Sequence, residues 1–342
     1  MHSKSDKETK RYAGQLIQEQ PTMSEQTLEF EQEQVPEMDP TDLSTQQTKK
    51  QALLWSLPQP ILILGSMIAV ATAFTYEWMD PELFAMIMIV LPLPLVLFAE
   101  RIWTKRQDWL LTPKEFAEDA LWLATGAFIW VPIYSDYFET PISEGFRSVR
   151  DMSLLNFELS PESTLGIVLG AIIVRTAVEF IYYWLHRVQH ESVFWWRMHA
   201  THHHIAKMGA ARSDRTHPLE WATLFLGTPI ILALSGANDA VIAVAGAFGF
   251  FNGWLNHSNL PLRSGWWGLF FATAEQHHLH HTNDMDSSNS NYGCTIIIWD
   301  RLFGTYNPGT KIESIGAGTG TPLDILTQYK MAFVSTDKLT KY

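Results

Sequence analysis

Long apolar runs alternate with short polar segments from about residue 52 onward, and their lengths predict membrane helices. A helix that spans a bilayer needs about 20 apolar residues. The first and fourth runs reach that length, the second nearly does, and the third is short. The last two runs flank the polar stretch Ser235–Asp239 and predict a helical hairpin that need not span the whole bilayer. The runs occupy residues 53–76, 83–99, 121–134, 165–185, 221–235 and 240–255.

Aromatic and proline residues agree with this interpretation. Pro92, Pro94 and Pro132 interrupt the runs, and membrane helices tolerate proline better than soluble helices do. Tryptophans near the run ends are typical of an interfacial aromatic belt. They are Trp55, Trp78, Trp103, Trp122, Trp184, Trp221 and Trp254. We therefore expect an all-α integral membrane protein with about four transmembrane helices plus a helical hairpin; a soluble all-helical protein with buried helices is the alternative.

Basic residues predict the orientation, because they favour the cytoplasmic side. Lys49 and Lys50 precede the first run, and residues 100–106 hold three basic residues after the second. Five more follow the fourth run: Arg187, Arg197, Lys207, Arg212 and Arg215. If all three basic segments lie on the cytoplasmic side, an even number of membrane crossings separates each from the next. The chain is expected to carry a helical, histidine-rich lobe on the cytoplasmic side, although Arg147 and Arg150 on the other side oppose this assignment.

Composition sets the remaining limits. The chain has 342 residues, 46% of them hydrophobic, and a net charge of -12. Residues 1–50 are polar and predict a disordered tail, followed by a membrane-embedded domain over 51–310 and a C-terminal tail over 311–342. No cleavable signal peptide is expected. Cys294 is the single cysteine, which excludes a disulfide within the chain, and no basic stripe suggests nucleic-acid binding.

The histidines give the strongest chemical signal. Twelve of the 13 lie between His186 and His281, and their main groups have the spacings HxxxH, HxxHH and HxxHH. Residues i, i+3 and i+4 share one face of a helix, so each group can direct two or three imidazoles to one point. The spaced positions are His186, His190, His199, His202, His203, His277, His280 and His281. Eight imidazoles suit two metal ions; iron is favoured, while copper and zinc stay open.

Several segments around the histidines resemble the fatty acid hydroxylase / sterol desaturase superfamily. The three spacings occur in the same order, and the resemblance covers about residues 60–310. Residues 179–187 are similar to the family's acidic residue, aromatic run and His-Arg pair. Residues 216–220 resemble its His-Pro-hydrophobic-Glu segment, and residues 291–293 with 299–306 resemble its C-terminal signature.

The resemblance implies a membrane-bound, non-haem di-iron oxygenase. It would use O2 and an external electron donor, of cytochrome b5 or ferredoxin type, to hydroxylate an unactivated C–H bond of a lipid or sterol-like substrate. No fused haem motif HPGG is present, so a separate donor is expected. A bacterial inner membrane or the endoplasmic reticulum would hold the protein. A lipid or sterol desaturase using the same site is the alternative enzyme, and a membrane metal-binding or transport protein is the alternative that is not an enzyme.

The resemblance also assigns the site. The eight spaced histidines would bind two iron ions, and His257 is a further candidate that could instead be a buried, hydrogen-bonded histidine. Glu179, two turns before His186, is the expected acceptor for a ligand N–H, or the ion-pair partner of Arg175.

Two more residues, His217 and His278, are expected to support the ligands. His217 precedes a proline and is expected to fix a helix start. His278 and His204 lie beside the spaced positions but on other helical faces, so each is expected to support the ligands or to face solvent. Asp300 and Arg301 are expected to tie the C-terminal segment to the histidine lobe.

Overall fold

The computed structural model describes residues 49–77, 79–153, 157–317 and 324–335. The predicted N-terminal tail lies outside these residues except for Lys49 and Lys50, as does Trp78 of the aromatic belt. Much of the predicted C-terminal tail also lies outside them. In the described part of the chain all regular secondary structure is helical, apart from two isolated β-bridges.

Proline marks the start of several membrane helices. Its fixed φ suits the first helical turn, where the missing N–H costs no hydrogen bond. The N-terminal helices are α1 Lys49–Ser56, α2 Pro58–Tyr76, α3 Pro81–Val90, α4 Pro92–Ile102 and α5 Pro113–Met152. The rest are α6 Thr164–Glu191, α7 Val193–His203, α8 Pro218–Leu224, α9 Gly227–Ser235, α10 Asp239–His257, α11 Ala274–His280, α12 Met285–Ser288, α13 Ile298–Phe303 and α14 Ile325–Met331.

Within the described residues, five helical segments are long and apolar enough to cross a membrane. They are Gln51–Tyr76, Pro81–Ile102, Pro113–Met152, Thr164–Glu191 and Pro218–Ser235. Many large apolar side chains on them are exposed on the surface of the protein, as lipid-facing side chains would be. The all-α integral membrane architecture predicted from the sequence is confirmed.

The third span is longer than its apolar run predicted. Helix α5 begins with a capping box, in which Thr112 and Glu115 bond each other's backbone N–H groups, and continues for 40 residues. Two π-helical turns interrupt it, at Gly126–Trp130 and Ser135–Glu139. They flank Pro132, whose missing N–H and bulky ring disturb a regular α-helix. The polar residues after position 134 lowered the hydropathy of the segment without ending the helix.

The hairpin of α9 and α10 reaches the end of the bundle opposite the histidines. Gly236, at a φ of 57°, turns the chain between the two helices. The Leu159 N–H donates to the carbonyl of Ser235, and the Asn238 N–H donates to the carbonyl of Leu159. The hairpin tip is therefore joined to the segment that precedes α6.

Helix α10 is the centre of the main core. Thirteen of its 19 residues are buried, and it packs against α2, α3 and α6. Val70, Val174 and Phe248 illustrate this core, with exposed fractions of 2% or less. Burial of such side chains contributes about 1.5–3 kcal/mol each. The histidine lobe, formed by α7, α11 and their connecting loops, is joined to the histidine-bearing ends of α6 and α10.

Candidate metal centre and cavity

Helices α7 and α11 divide their HxxHH motifs in the same way. On α7, His199 and His203 lie one turn apart and enter one group, while His202 enters another. On α11 and the residue after it, His277 and His281 enter the second group and His280 enters the first. Each motif thus contributes to two groups, whereas its spacing alone allowed all three imidazoles to meet at one point.

Two groups of histidines result. One candidate nitrogen from each member lies within 4.8 Å of the others in its group. The five-histidine group contains His186, His190, His199, His203 and His280. The four-histidine group contains His202, His257, His277 and His281. The structure therefore brings all eight spaced histidines together and adds His257 from the end of α10.

In the five-histidine group, backbone carbonyls orient two of the rings. The Nδ1 of His186 lies 2.6 Å from the carbonyl oxygen of Tyr292, and the Nδ1 of His280 lies 2.8 Å from that of Ser290. Because a carbonyl only accepts, each Nδ1 carries the proton and donates outward. The lone pair of each Nε2 is then directed into the group.

Side chains orient two further rings of the same group. The His199 Nδ1 donates to the Glu220 carboxylate at 2.5 Å, and the His190 Nδ1 lies 3.2 Å from the side-chain oxygen of Asn289. Both His199 and Glu220 are 1% exposed. A buried carboxylate beneath an imidazole fixes its tautomer and raises its basicity as a ligand.

The inward nitrogens of the five-histidine group approach one another closely. The Nε2 of His199 lies 2.9 Å from that of His186 and 3.0 Å from that of His203. Among the residues that the structure describes, the buried Nε2 atoms of His190 and His280 have no hydrogen-bond partner. Lone pairs at this separation repel unless a cation lies among them, so this donor set fits a metal ion.

The four-histidine group repeats this pattern. The His257 Nδ1 donates to the Gly253 carbonyl at 2.8 Å, and the His202 Nδ1 lies 3.3 Å from the Arg215 carbonyl. Their Nε2 atoms are 3.2 Å apart. The His277 Nε2 lies 3.0 Å from that of His257 and 3.1 Å from that of His281. These nitrogens also converge as ligands of a metal ion would.

Burial keeps these imidazoles neutral. Desolvation lowers the pKa of His202 and of His280 to about 4, from an ordinary value of 6.5. Burial, followed by the neighbouring histidines, holds the pKa well below 6.5 for four more. They are His199, His203, His277 and His281. A neutral imidazole is the form that binds metal, so the free lobe is ready to accept ions.

Glu179 does not bond a histidine, contrary to the expectation of a ligand N–H as its donor. One oxygen accepts from Arg175 at 2.8 Å, and the other accepts from the backbone N–H of Cys294 at 3.0 Å. Arg175 lies one turn before Glu179 on α6, so its guanidinium can reach the Glu179 carboxylate. Glu179 therefore supports the chain that follows Tyr292.

The other predicted supporting histidines lie outside both groups. His217 caps α8: its Nδ1 accepts from the Leu219 N–H, as expected of a residue that fixes a helix start. His278 points away from the groups, with its Nδ1 3.0 Å from the Lys105 Nζ and its ring against Trp109. His204 ends α7, is 8% exposed and belongs to neither group.

Asp300 ties its helix to the loop beside the histidines, in agreement with the expectation from the sequence. Its two carboxylate oxygens accept from the backbone N–H groups of Tyr292 and Gly293, both at 2.8 Å. The carbonyl of Tyr292 in turn accepts from His186. Asp300 therefore fixes the loop that orients a ring of the five-histidine group. The sequence places Glu220 in the His-Pro-hydrophobic-Glu segment, but no spacing rule links it to His199.

A cavity of about 380 Å³ leads to the four-histidine group. Its walls come from α5, α6, α8, α9 and α10 and are mostly apolar, although Glu139, Arg175 and Glu220 also line it. The histidines among its lining residues are His202, His257 and His277, all from the four-histidine group. Val131 and Phe250 line the cavity and are also exposed on the outer surface of the apolar helices.

Comparison with known proteins shows a similarity in the region of this site. The fatty acid hydroxylase family model matches residues 171–305, which include all nine grouped histidines. No solved structure matches the chain.

Three relatives illustrate the range of similar proteins. The chain is 37% identical over 155 residues to the ornithine lipid hydroxylase OlsE of Rhizobium tropici, covering 44% of this chain and 45% of that protein. It is 28% identical to human alkylglycerol monooxygenase, covering 46% and 34%. It is also 28% identical to methylsterol monooxygenase 2-1 of Arabidopsis thaliana, covering 40% and 55%.

These matches span a third to just over half the length of those relatives. All three are named as hydroxylases or monooxygenases. The matched region holds the grouped histidines, the loop residues that orient them and four of the cavity-lining helices. Over residues 171–305 the chain is therefore similar to the fatty acid hydroxylase family.

Proposed function

We propose that this protein is a membrane-bound di-iron oxygenase that hydroxylates a C–H bond of a lipid or sterol-like substrate. O2 is the co-substrate, and a separate donor of the cytochrome b5 or ferredoxin type supplies electrons. One observation carries the proposal: nine histidines form two adjacent groups with converging Nε2 atoms, at one end of a cavity that reaches the lipid-facing surface.

The donor set supports iron in both groups. Imidazole binds iron, copper and zinc, but zinc has no redox chemistry. Relatives named as monooxygenases favour a redox-active metal. When bound, the two irons would supply the reductive activation of O2 that attack on an unactivated C–H bond requires. The proposed ligands are the nine grouped histidines.

The protein's own groups orient the ligands and exclude water. Glu220 and the carbonyl of Tyr292 hold two rings of the five-histidine group at fixed angles. The carbonyls of Gly253 and Arg215 do the same in the four-histidine group. The apolar cavity walls keep water away and place the substrate beside the four-histidine group.

The relatives support the lipid class of substrate. Their names specify an ornithine lipid, alkylglycerol and a methylsterol. These molecules differ in size and polarity but all partition into membranes. We therefore propose a lipid or sterol-like substrate that enters from the bilayer.

We also propose that the histidine lobe faces the cytoplasm. Two basic residues lie near the start of α1, and others surround the lobe. Arg150, at the opposite end, forms an ion pair with Glu158 at 2.9 Å. The basic residues near the start of α1 and around the lobe outnumber Arg147 and Arg150 at the opposite end, which supports this orientation.

Mass spectrometry of lipid extracts tests the reaction. Cells with the gene should contain a lipid that has gained one oxygen atom relative to cells without it; loss of two hydrogen atoms would instead indicate a desaturase. Purified protein should contain about two irons per chain. His202→Ala should abolish the product, while His204→Ala, two residues away and outside both groups, should retain it. Stoichiometric zinc with no iron, or product from the His202→Ala protein, would contradict the proposal.

A further inference from the structure

The cavity ends in a carboxylate that the histidine chemistry does not use. Asp214 closes the short helical turn Ala210–Asp214, which packs on α10. One of its oxygens accepts from the indole N–H of Trp254 at 3.0 Å. Asp214 also lines the cavity, together with Ser213 and Thr216. This part of the cavity is therefore polar and acidic. Glu139 and Arg175 line the cavity too, and the Arg175 guanidinium is paired with Glu179 at 2.8 Å.

The neighbouring arginines do not neutralise Asp214. Arg212 and Arg215 both turn to Asp119, which is fully buried, with Nε–carboxylate distances of 3.3 and 2.5 Å. Within the described ranges, no basic side chain forms an ion pair with Asp214. Each of the flanking guanidiniums is already held by acids on α5, so neither is available to move to the cavity.

An unpaired carboxylate in an apolar cavity is costly unless a ligand supplies the missing partner. Desolvation raises the pKa of Asp214 from 3.8 to about 6. At neutral pH the group is therefore still mostly ionised. The partner that best compensates a desolvated carboxylate is a cation with N–H donors.

We propose that Asp214 binds the ammonium group of an amine-bearing lipid and so selects the substrate of this site. The proposal rests on the oxygenase function proposed above and specifies its substrate class. Ser213 and Thr216 offer hydroxyl groups to the remaining polar atoms of the same head group. The hydrocarbon tail extends along the apolar walls toward α5 and α9.

This arrangement also places the reaction near the lipid head. Trp254, the hydrogen-bond donor to Asp214, lies one helical turn before His257. Arg215, the next residue in the chain, presents its carbonyl to His202. Asp214 is thus next in the chain to the residue that supports His202 and is hydrogen-bonded to a residue one turn from His257. The oxidised carbon is accordingly one close to the amine, not one far along the tail.

A competition experiment on metal-depleted full-length protein tests this inference. The protein is placed in phosphatidylcholine nanodiscs and binds radiolabelled dodecylamine, with unlabelled dodecylamine, 1-dodecanol or dodecane as competitors. We expect dodecylamine to compete about tenfold better than dodecanol, because charge-assisted hydrogen bonds are the stronger ones. Dodecane should compete least.

Asp214→Asn is the matched variant, since asparagine can still accept from Trp254. It should weaken dodecylamine binding about tenfold and remove the preference over dodecanol. Asp286→Asn, which removes an exposed carboxylate from the same lobe, should change neither value. Equal competition by all three probes, equal competition by amine and alcohol, or an unchanged preference in Asp214→Asn would overturn the inference.

Metal-free binding separates this inference from the proposed function. If the iron-loaded protein oxidises no lipid while the amine preference is present and depends on Asp214, the oxygenase proposal fails and the binding site stands. If a lipid without an amine is oxidised and the preference is absent, the substrate assignment fails and the oxygenase proposal stands.

Discussion

The two histidine groups differ in the number of their members and in what surrounds them. The five-histidine group receives two histidines from α6, two from α7 and one from α11, and a buried carboxylate orients one of its rings. The four-histidine group receives one from α10, one from α7, one from α11 and one from the residue that follows α11. Its oriented rings donate to backbone carbonyls, and three of its members line the cavity.

This difference suggests a division of roles between two otherwise similar sites. Five nitrogens nearly complete the coordination of an ion and leave little room for another ligand. Four nitrogens would leave coordination positions open, and the cavity reaches the four-histidine group. We infer that the four-histidine group faces the substrate, while the five-histidine group mainly retains its ion and supports its neighbour.

Removing one ligand from each group should have the largest and most unequal effects. His281→Ala leaves three nitrogens, and we expect loss of about one metal per chain and of all detectable product. His190→Ala leaves four nitrogens, so most of the metal should remain and activity should fall less. Metal analysis and product yield measure both. Equal metal loss in the two variants would remove the distinction between the groups.

Glu220→Gln should come next in size. The variant replaces the carboxylate that accepts from His199, and we expect about a 10- to 100-fold loss of metal affinity. Glu179→Gln is the control, since Glu179 bonds Arg175 and Cys294 and no histidine. It should lower the melting temperature and leave the metal affinity unchanged. A chelator titration measures the metal affinity of both variants. Similar losses of affinity in the two would mean that Glu220 affects metal binding only by stabilising the fold.

Blocking the cavity should raise KM without affecting either group. Leu232 lines the cavity from α9, whereas Leu234, two residues later, is exposed on the protein surface. We expect Leu232→Trp to raise KM for the lipid about tenfold by filling space that the substrate needs, with unchanged metal content. Leu234→Trp should behave like the natural protein. Unchanged KM in Leu232→Trp would show that the substrate takes another path to the four-histidine group.

The pH dependence of stability should be the smallest effect and should involve both groups. His202 and His280 have pKa values near 4 in the folded protein, below the unfolded value of about 6.5. Above pH 6.5 they are neutral in both states. Between pH 6.5 and 4 the unfolded chain takes up more protons, so acidification should destabilise the metal-free fold. Its melting temperature should fall steadily from pH 7 to 5, and a flat profile over that range would contradict this burial of the lobe.

Patterns that depend on local spacing were predicted well from the sequence. The apolar runs gave the membrane helices, because a span needs a minimum length of apolar residues. The i, i+4 pairs His186/His190 and His199/His203 do share a helix face and a group. His217 caps α8, as a histidine before a proline at a helix start suggested.

Features that depend on tertiary contacts were harder to predict. Each HxxHH motif is divided between two groups because other histidine-bearing helices pack on both sides of α7 and α11, and the spacing of a motif does not reveal which helices these are. Glu220 was not recognised as the partner of His199, because 21 residues separate them. The continuation of α5 past its apolar run was not predicted either. Hydropathy marks where apolar residues end, and α5 continues beyond that point through two π-helical turns.

The shared motifs of α7 and α11 have a consequence for how the centre assembles. Each helix supplies histidines to both groups, and the rings of His203 and His281 stack across the boundary at 4.4 Å. The first ion to bind would fix the distance and rotation between the two helices. It would thereby complete most of the second site before the second ion arrives. Uptake of the two ions should therefore be positively cooperative, with half-loaded protein scarce at every metal concentration.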